Sequence, residues 1–220
     1  MAIVVFLIIY SVQFVGAYDN AAHGFSINFP SGWEQTQNPD VVVLYVNDDG
    51  SASINIIVEE TSASLSDYVA ASKTQLADLD YYELISEKSR TIGGLGGYEL
   101  VYAWTLYDGG DSYDLQDKQV FFVQNGKAYI ITCGADYYEY DAVLPTFEQT
   151  LESFRLTQTG TPATLNSNLI VGAIVIAVIV VLAIAIVVLR RRKRQPTQRQ
   201  YDSTGTGTLY PPPPPPPPPP

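Results

Sequence analysis

The sequence predicts an α+β domain with an antiparallel sheet of about six to seven strands flanked by helices, followed by one C-terminal transmembrane helix. Three observations carry this prediction. Runs of β-branched and aromatic residues are separated by short turns, and short turns join antiparallel neighbours. Two segments change to the apolar spacing of an amphipathic helix. The run Leu169–Leu189 is 21 residues long and has no polar side chain.

The first half of the domain predicts three strands and one helix. Strands are indicated at Gly24–Phe29, Val41–Val46 and Ala52–Glu60, the last two joined by an Asn-Asp-Asp-Gly turn. A helical stripe then runs over Leu65–Leu79, and Ser64 is placed to cap its N-terminus.

The second half predicts four strands and a closing helix. The strands are separated by a glycine turn at residues 93–97, an acidic loop at residues 108–113 and an Asn-Gly turn at residues 125–126. The closing helix is marked by the apolar spacing of residues 144, 147, 151 and 154, with Pro145 expected in its first turn. The four strands are expected at Tyr82–Ile92, Tyr98–Tyr107, Lys118–Gln124 and Lys127–Cys133.

The N-terminal segment Met1–Ala17 has an apolar run that is short for a membrane span and typical of a signal peptide. Val15 and Ala17 are small residues before a cleavage point that would start the mature chain at Tyr18. No Lys or Arg precedes the apolar run, so a retained N-terminal anchor is the alternative.

The C-terminal apolar run, residues 169–189, is predicted to span the membrane, because 21 residues of helix reach roughly 31 Å. A basic cluster follows it directly, whereas the preceding stalk, residues 157–168, has no Lys or Arg. The positive-inside rule therefore puts the folded domain, residues 18–156, outside the cell and the tail, residues 190–220, in the cytoplasm of a single-pass cell-membrane protein. The residues expected to hold anionic membrane lipids are Arg190, Arg191, Arg192, Lys193 and Arg194.

The tail ends in ten consecutive prolines, which predict a polyproline II helix because proline fixes φ and lacks an amide hydrogen. Such a rod is a preformed ligand for aromatic-lined grooves, so a cytoplasmic polyproline-binding protein is a predicted partner. A low-complexity spacer without a partner is the alternative. The predicted ligand comprises Tyr210, Pro211, Pro212, Pro213, Pro214, Pro215, Pro216, Pro217, Pro218, Pro219 and Pro220.

Charge is divided unevenly along the chain. Residues 18–168 carry 22 acidic and 6 basic side chains, which disfavours nucleic acid as a partner. Asp108, Asp111, Asp114 and Asp117 recur at every third position in a glycine-containing segment. Such a loop could offer weak calcium ligands, and an ordinary solvated loop is the alternative; no other cofactor is predicted.

The sequence contains no pattern that places a nucleophile beside a base. His23 is the single histidine and Cys133 the single cysteine, and Cys133 is expected to be buried in a strand. The domain therefore reads as a binding module rather than an enzyme. Thirteen tyrosines lie between residues 18 and 156, and they suit both half-buried strands and binding surfaces.

Several segments together resemble the PsbP-like family: GFSINFPSGWE at residues 24–34, LSDYVAASKTQL at residues 65–76, GYELVYAW at residues 97–104, QVFFVQNGKAYIITC at residues 119–133 and LPTFEQTLESFRL at residues 144–156. The resemblance implies an antiparallel sheet flanked by helices and a binding or accessory role. It supplies no site residues.

The expected function is thus that of a membrane-anchored surface protein whose outer domain binds an unidentified ligand or protein without catalysis. The alternatives are a structural cell-envelope module with a non-functional tail, or a cation-dependent hydrolase that uses His23 or the aspartates of residues 108–117.

Overall fold

The computed structural model describes residues 16–157. This part of the chain folds into ten strands and two helices. In chain order they are β1 (Tyr18–Asn20), β2 (Phe25–Ile27), β3 (Glu34–Gln35), β4 (Val43–Val46), β5 (Ala52–Glu60), α1 (Leu65–Leu76), β6 (Glu83–Ile92), β7 (Leu95–Asp108), β8 (Asp111–Gln124), β9 (Lys127–Asp136), α2 (Tyr140–Glu152) and β10 (Arg155–Leu156).

The main sheet has seven strands in the order β3-β4-β5-β9-β8-β7-β6, and every neighbouring pair is antiparallel. This confirms the predicted antiparallel sheet flanked by helices. A small second sheet has the order β1-β2-β10. The sequence did not predict its outer strands β1 and β10, because strands of two or three residues are too short to show an alternating apolar pattern.

Each helix covers a different face of the main sheet. Tyr68 and Leu76 of α1 pack with one set of strand side chains, and Phe147 and Leu151 of α2 pack with the other set. We call these the α1 face and the α2 face. The small sheet contributes Phe25 to the α2 face. Side chains alternate along each strand, so the central strands have few positions left for water.

Helix α1 begins where the sequence predicts it. The backbone N–H of Asp67 donates to Oγ of Ser64 at 3.2 Å, and the Ser64 hydroxyl donates to the Asp67 carboxylate at 2.7 Å. This exchange satisfies an amide that the first turn leaves unpaired.

Helix α2 corrects the prediction for Pro145. The helix begins at Tyr140, so this proline lies inside it rather than in the first turn. A proline there cannot donate to the carbonyl of Asp141, four residues earlier. Pro145 and Asp141 are both exposed, so water is available to the unpaired carbonyl.

The predicted acidic loop at residues 108–113 is also wrong. Strand β7 continues to Asp108 and β8 starts at Asp111, with Gly109 and Gly110 forming a two-residue turn. Both glycines have positive φ, 60° and 94°, which is what a tight hairpin turn of this kind requires. The turn therefore lets Tyr98–Asp108 of β7 pair with Asp111–Phe121 of β8.

The helices within residues 16–157 are α1 and α2, and neither is long and apolar enough to cross a membrane. The predicted span at residues 169–189, the tail, the stalk beyond residue 157 and most of the predicted signal peptide lie outside the described residues.

Close packing at Gly97 generates the first testable prediction. A Cβ at this position would lie 2.6 Å from Cε1 of Phe122 and 2.7 Å from the backbone oxygen of Phe121. We expect Gly97→Ala to lower the free energy of unfolding by about 1–3 kcal/mol in urea denaturation. Gly96→Ala is the matched control, since no atom lies within 4 Å of its added Cβ. Equal stability of the two variants would contradict this packing.

Candidate interaction surface

Four large side chains stand out from the surface at one end of the main sheet. Tyr81, Tyr107, Tyr137 and Tyr138 are 77%, 54%, 47% and 86% exposed, respectively. Most other large apolar side chains between residues 16 and 157 are buried or half-buried, Ile85 being a further exposed one. Exposed tyrosines in one region are typical of surfaces that bind partners.

The hydrogen bonds of strands β7 and β8 bring these tyrosines to one place. Thr105 pairs with Asp114 across the two strands, and its hydroxyl donates to the Asp114 carboxylate at 2.9 Å. On one side, the backbone N–H of Thr105 donates to the carbonyl of Asp80 at 2.8 Å. On the other side, the N–H of Tyr137 donates to the carbonyl of Asp114 at 2.9 Å. The segments that carry the tyrosines are thus fixed on both flanks.

The rings form two pairs with the polar bridge between them. The ring centroids of Tyr81 and Tyr107 are 6.3 Å apart, and those of Tyr137 and Tyr138 are 5.5 Å apart in an edge-to-face arrangement. Side chains alternate along β7, so Tyr107 and Thr105 lie on the same face as Val101, which is the α2 face. They lie at the end of β7 next to the β7–β8 turn, beyond the part of this face that α2 covers. We define the tyrosine surface as Tyr81, Tyr107, Tyr137 and Tyr138 together with Thr105 and Asp114.

Negative charge surrounds this surface. The pKa of the Tyr107 phenol is raised, first by its neighbour Tyr81 and also by the carboxylates of Asp80 and Asp114. The raised pKa keeps the Tyr107 phenol neutral at physiological pH. The surface offers aromatic faces, hydroxyls and anionic oxygens, and this combination suits a cationic ligand.

The four aspartates proposed from sequence as weak calcium ligands are not brought together. Asp108 and Asp111 face each other across the β7–β8 turn, and Asp114 lies on the tyrosine surface. Asp117 lies three residues further along β8, so it points to the α1 face, where it is buried. Within residues 16–157, no group of three or more His, Cys, Asp or Glu side chains is placed to hold a metal ion.

His23 is far from these aspartates. Its carbonyl accepts a hydrogen bond from the Tyr129 hydroxyl at 3.0 Å, and burial and then the nearby Lys127 lower the pKa of its imidazole. Lys127 begins β9, at the opposite end of the 14-residue strand β8 from Asp111, roughly 45 Å away. The structure therefore gives no common site to His23 and the acidic segment.

Cys133 is buried, as the sequence predicts, on the α2 face beside Ile131 of the same strand. Burial raises the pKa of its thiol, so the reactive thiolate is disfavoured.

A network of ion pairs lies between α2 and the sheet. Glu99 accepts a hydrogen bond from Arg90 and forms ion pairs with Lys88 at 3.2 Å and with Lys118 at 3.6 Å. Glu148 of α2 accepts from Lys118 and, at 2.7 Å, from Arg90. The network joins β6, β7 and β8 to the helix.

Pairing determines how the network acids titrate. Burial by itself would raise the pKa of Glu99, but Arg90 and Lys118 outweigh it and hold the pKa below its usual value. The same balance lowers the pKa of Glu148. Both acids are therefore charged at neutral pH and belong to the framework of the fold.

Asp117 is a buried carboxyl on the α1 face with one strong donor. The indole N–H of Trp104 donates to its Oδ2 at 2.7 Å. Removal from water is the dominant effect and raises the pKa of Asp117 to about 7, although the Trp104 donor favours the ionised form. Gly134 makes room for it, since a Cβ there would lie 2.3 Å from Oδ1 of Asp117.

The sequence matches the PsbP family model over residues 14–156, most of the chain. The chain belongs to the PsbP family. This confirms the resemblance noted from the sequence. A search among curated proteins finds no match to the chain.

The chain is also similar to solved structures at low sequence identity. Cyanobacterial PsbP (CyanoP) from Synechocystis sp. PCC 6803 is 18% identical with a TM-score of 0.51, covering 67% of this chain and 95% of that one. The Ran-binding protein Mog1p of Saccharomyces cerevisiae is 13% identical with a TM-score of 0.48, covering 67% and 97%. LpqN of Mycobacterium tuberculosis, involved in cell envelope biogenesis, is 14% identical with a TM-score of 0.48, covering 67% and 91%.

Sequence reasoning noticed only part of the tyrosine surface. The cluster of residues 137, 138 and 140 is visible in the sequence, but Tyr140 is buried against Phe147. Tyr81 and Tyr107 are separated by 25 residues and meet only through the pairing of β6 and β7. An unusual backbone marks Tyr81, whose φ is 54°, and no local sequence pattern indicates it.

The ionic network generates a second prediction, about stability. Glu99→Gln should lower the free energy of unfolding by about 3 kcal/mol or more, because it leaves Arg90 and Lys118 buried with one fewer anionic partner. Glu152→Gln is the control, because it also removes the negative charge of an ion-pair partner of Arg90. The Glu152 side chain is 59% exposed, whereas the Glu99 side chain is 2% exposed. This control should cost at most about 1 kcal/mol in the same urea titration.

A third prediction concerns pH. Since the pKa of Asp117 is raised to about 7 in the fold, the native state keeps a proton that the unfolded chain releases between about pH 4 and pH 7. The contribution of Asp117 to stability is therefore fully present below about pH 4 and is lost as pH rises to about 7. We expect Asp117→Asn to be relatively more stable than the native protein at pH 7.5 than at pH 5.

Urea denaturation at the two pH values measures this difference. The exposed Asp114→Asn variant is the control and should keep the native pH slope, because it leaves Asp117 in place. An Asp117→Asn variant with the native slope would show that Asp117 does not control it.

Proposed function

We propose that this protein is a membrane-anchored, non-catalytic binding module. Its PsbP domain lies outside the cell and binds a partner there, and its cytoplasmic tail recruits a polyproline-binding protein. The observation that carries the outer half of this proposal is the tyrosine surface, where four large aromatic side chains are exposed together at one end of the main sheet.

The positions of the charged side chains and of His23 support a binding function rather than catalysis. Arg90, Glu99, Lys118 and Glu148 are committed to one another in the framework under α2. His23 lies near the far end of β8, away from the acidic segment. A hydrolase would need an acid, a base or a nucleophile aimed at one reacting atom.

The anchor and its orientation rest on the sequence. Residues 169–189 are long and apolar enough to span a bilayer, and residues 190–194 supply the positive charge that stays in the cytoplasm. The same cations would hold the tail close to anionic lipid headgroups at the inner surface.

The sequence of the tail suits recruitment. Ten consecutive prolines predict the polyproline II conformation for residues 211–220, and a partner with an aromatic-lined groove would lose little entropy in ordering such a segment. The 16 residues between Arg194 and Pro211 would let the polyproline segment move away from the membrane by tens of Å. A partner outside the cell and one inside would then be held by the same chain.

The experiment that tests this function compares two full-length chains in cells. One is native and the other has Ala at alternate positions of Pro211–Pro220. The native chain should retain cytoplasmic proteins with SH3-like, WW-like or profilin-like domains, and the Ala variant should lose them, because it no longer holds the polyproline II helix. Equal retention by both chains would contradict a recruiting tail.

Membrane orientation is the control in the same cells. Protease added to intact cells should digest the PsbP domain of both chains and spare an epitope on the tail. Loss of the tail epitope from intact cells would contradict the proposed topology.

A further inference from the structure

The tyrosine surface is anionic without a cation of its own. Asp114 lies at its centre and Asp80 at its flank, both close enough to act on the Tyr107 phenol. Residues 16–157 contain six Lys and Arg side chains, and each contacts groups outside this surface. Their partners are Glu87 for Lys73, the network acids for Lys88, Arg90 and Lys118, Glu60 for Lys127, and backbone carbonyls for Arg155.

The geometry suits two cations at once. Tyr107 lies in β7 and Tyr137 directly follows β9, so two strand spacings, about 10 Å, separate the backbones that carry the nearer rings of the two pairs. An ammonium or guanidinium group binds favourably over the face of a tyrosine ring. The Asp114 carboxylate between the pairs can accept a charge-assisted hydrogen bond from either group.

We propose that the tyrosine surface binds a Lys- or Arg-containing extended segment of a partner protein, with one cationic side chain at each tyrosine pair. This inference rests on the proposed function, because it names the chemistry of the outer partner. Cationic side chains two or three residues apart in an extended segment are about 7–10 Å apart, which matches the spacing of the pairs. Arginine fits best, because its planar group stacks on an aromatic ring and also donates to a carboxylate.

The net negative charge of the domain would attract a basic peptide to many parts of its surface. The test must therefore distinguish the contribution of the tyrosine rings from that of the net charge. The probe is a fluorescent Gly-Arg repeat peptide, titrated against the full-length chain in nanodiscs with neutral lipid. Tyr107→Thr with Tyr138→Ser removes one ring from each pair and leaves every charge unchanged. We expect this double variant to bind the peptide about five- to tenfold more weakly.

Three controls accompany the double variant. Tyr107→Phe with Tyr138→Phe keeps the rings and should retain native affinity. Asp40→Asn removes an exposed carboxylate elsewhere and should change affinity less than Asp114→Asn does. A Gly-Gln repeat peptide should bind much more weakly than the Gly-Arg peptide. Thermal unfolding of every variant checks that the domain stays folded.

The inference is overturned if the double variant binds the Gly-Arg peptide as tightly as the native chain, or if the Gly-Gln peptide binds equally well. Binding of the same variants to vesicles with choline headgroups is measured in parallel. The inference is also overturned if the ring variants weaken binding to these vesicles and leave binding to the Gly-Arg peptide unchanged, because the bound cation would then belong to a lipid. The polyproline pull-down remains independent of these outcomes, since it tests the other side of the membrane.

Discussion

The main sheet is buried on both faces, and the rest of the domain depends on this constraint. Strands β8 and β9 lie in the middle of the sheet, under α1 on one side and α2 on the other. A polar side chain in such a strand loses its water and must find a partner inside the protein. Lys118 and Glu99 meet this need through ion pairs, and Asp117 meets it through the Trp104 indole and a proton.

The same constraint explains where glycine is needed. Gly97 allows the Phe122 ring and the Phe121 carbonyl to approach β7, and Gly134 leaves space for the Asp117 carboxyl. Both glycines lie in strands, where their cost in chain entropy is offset by the contacts that they permit. Neither position is a turn, so crowding rather than backbone conformation accounts for both residues.

Burial of the middle of the sheet also determines where binding can occur. Helix α2 is tied to β6, β7 and β8 through Arg90 and Glu148, and its start leaves the end of the β7–β8 hairpin uncovered. The tyrosines project from that end. The basic side chains of residues 88, 90 and 118 form ion pairs with Glu99 and Glu148 under α2. The charged side chains at the tyrosine end of the sheet are therefore mainly acidic. A partner that binds there has to supply the missing positive charge.

The sequence by itself determined the fold class, the helix α1, the hairpins at residues 47–50 and 125–126 and the family. These features are local: a cap, a turn or a period of apolar residues is written in consecutive positions. The same reasoning was wrong about residues 108–113, because their acidic composition is typical of a loop although β8 already begins at Asp111. It was also wrong about Pro145, because the apolar spacing begins at residue 144 although the helix begins at Tyr140.

Only the tertiary structure decided which polar residues are internal and which form a surface. Asp114 and Asp117 look equivalent in the sequence, yet the alternation of one strand puts the first beside the exposed tyrosines and buries the second beside Trp104. Tyr81 and Tyr107 likewise become neighbours only when β6 pairs with β7. The physical reason is that a binding surface is made by residues distant in the chain, and strand register, which depends on packing across the whole sheet, determines which of them meet.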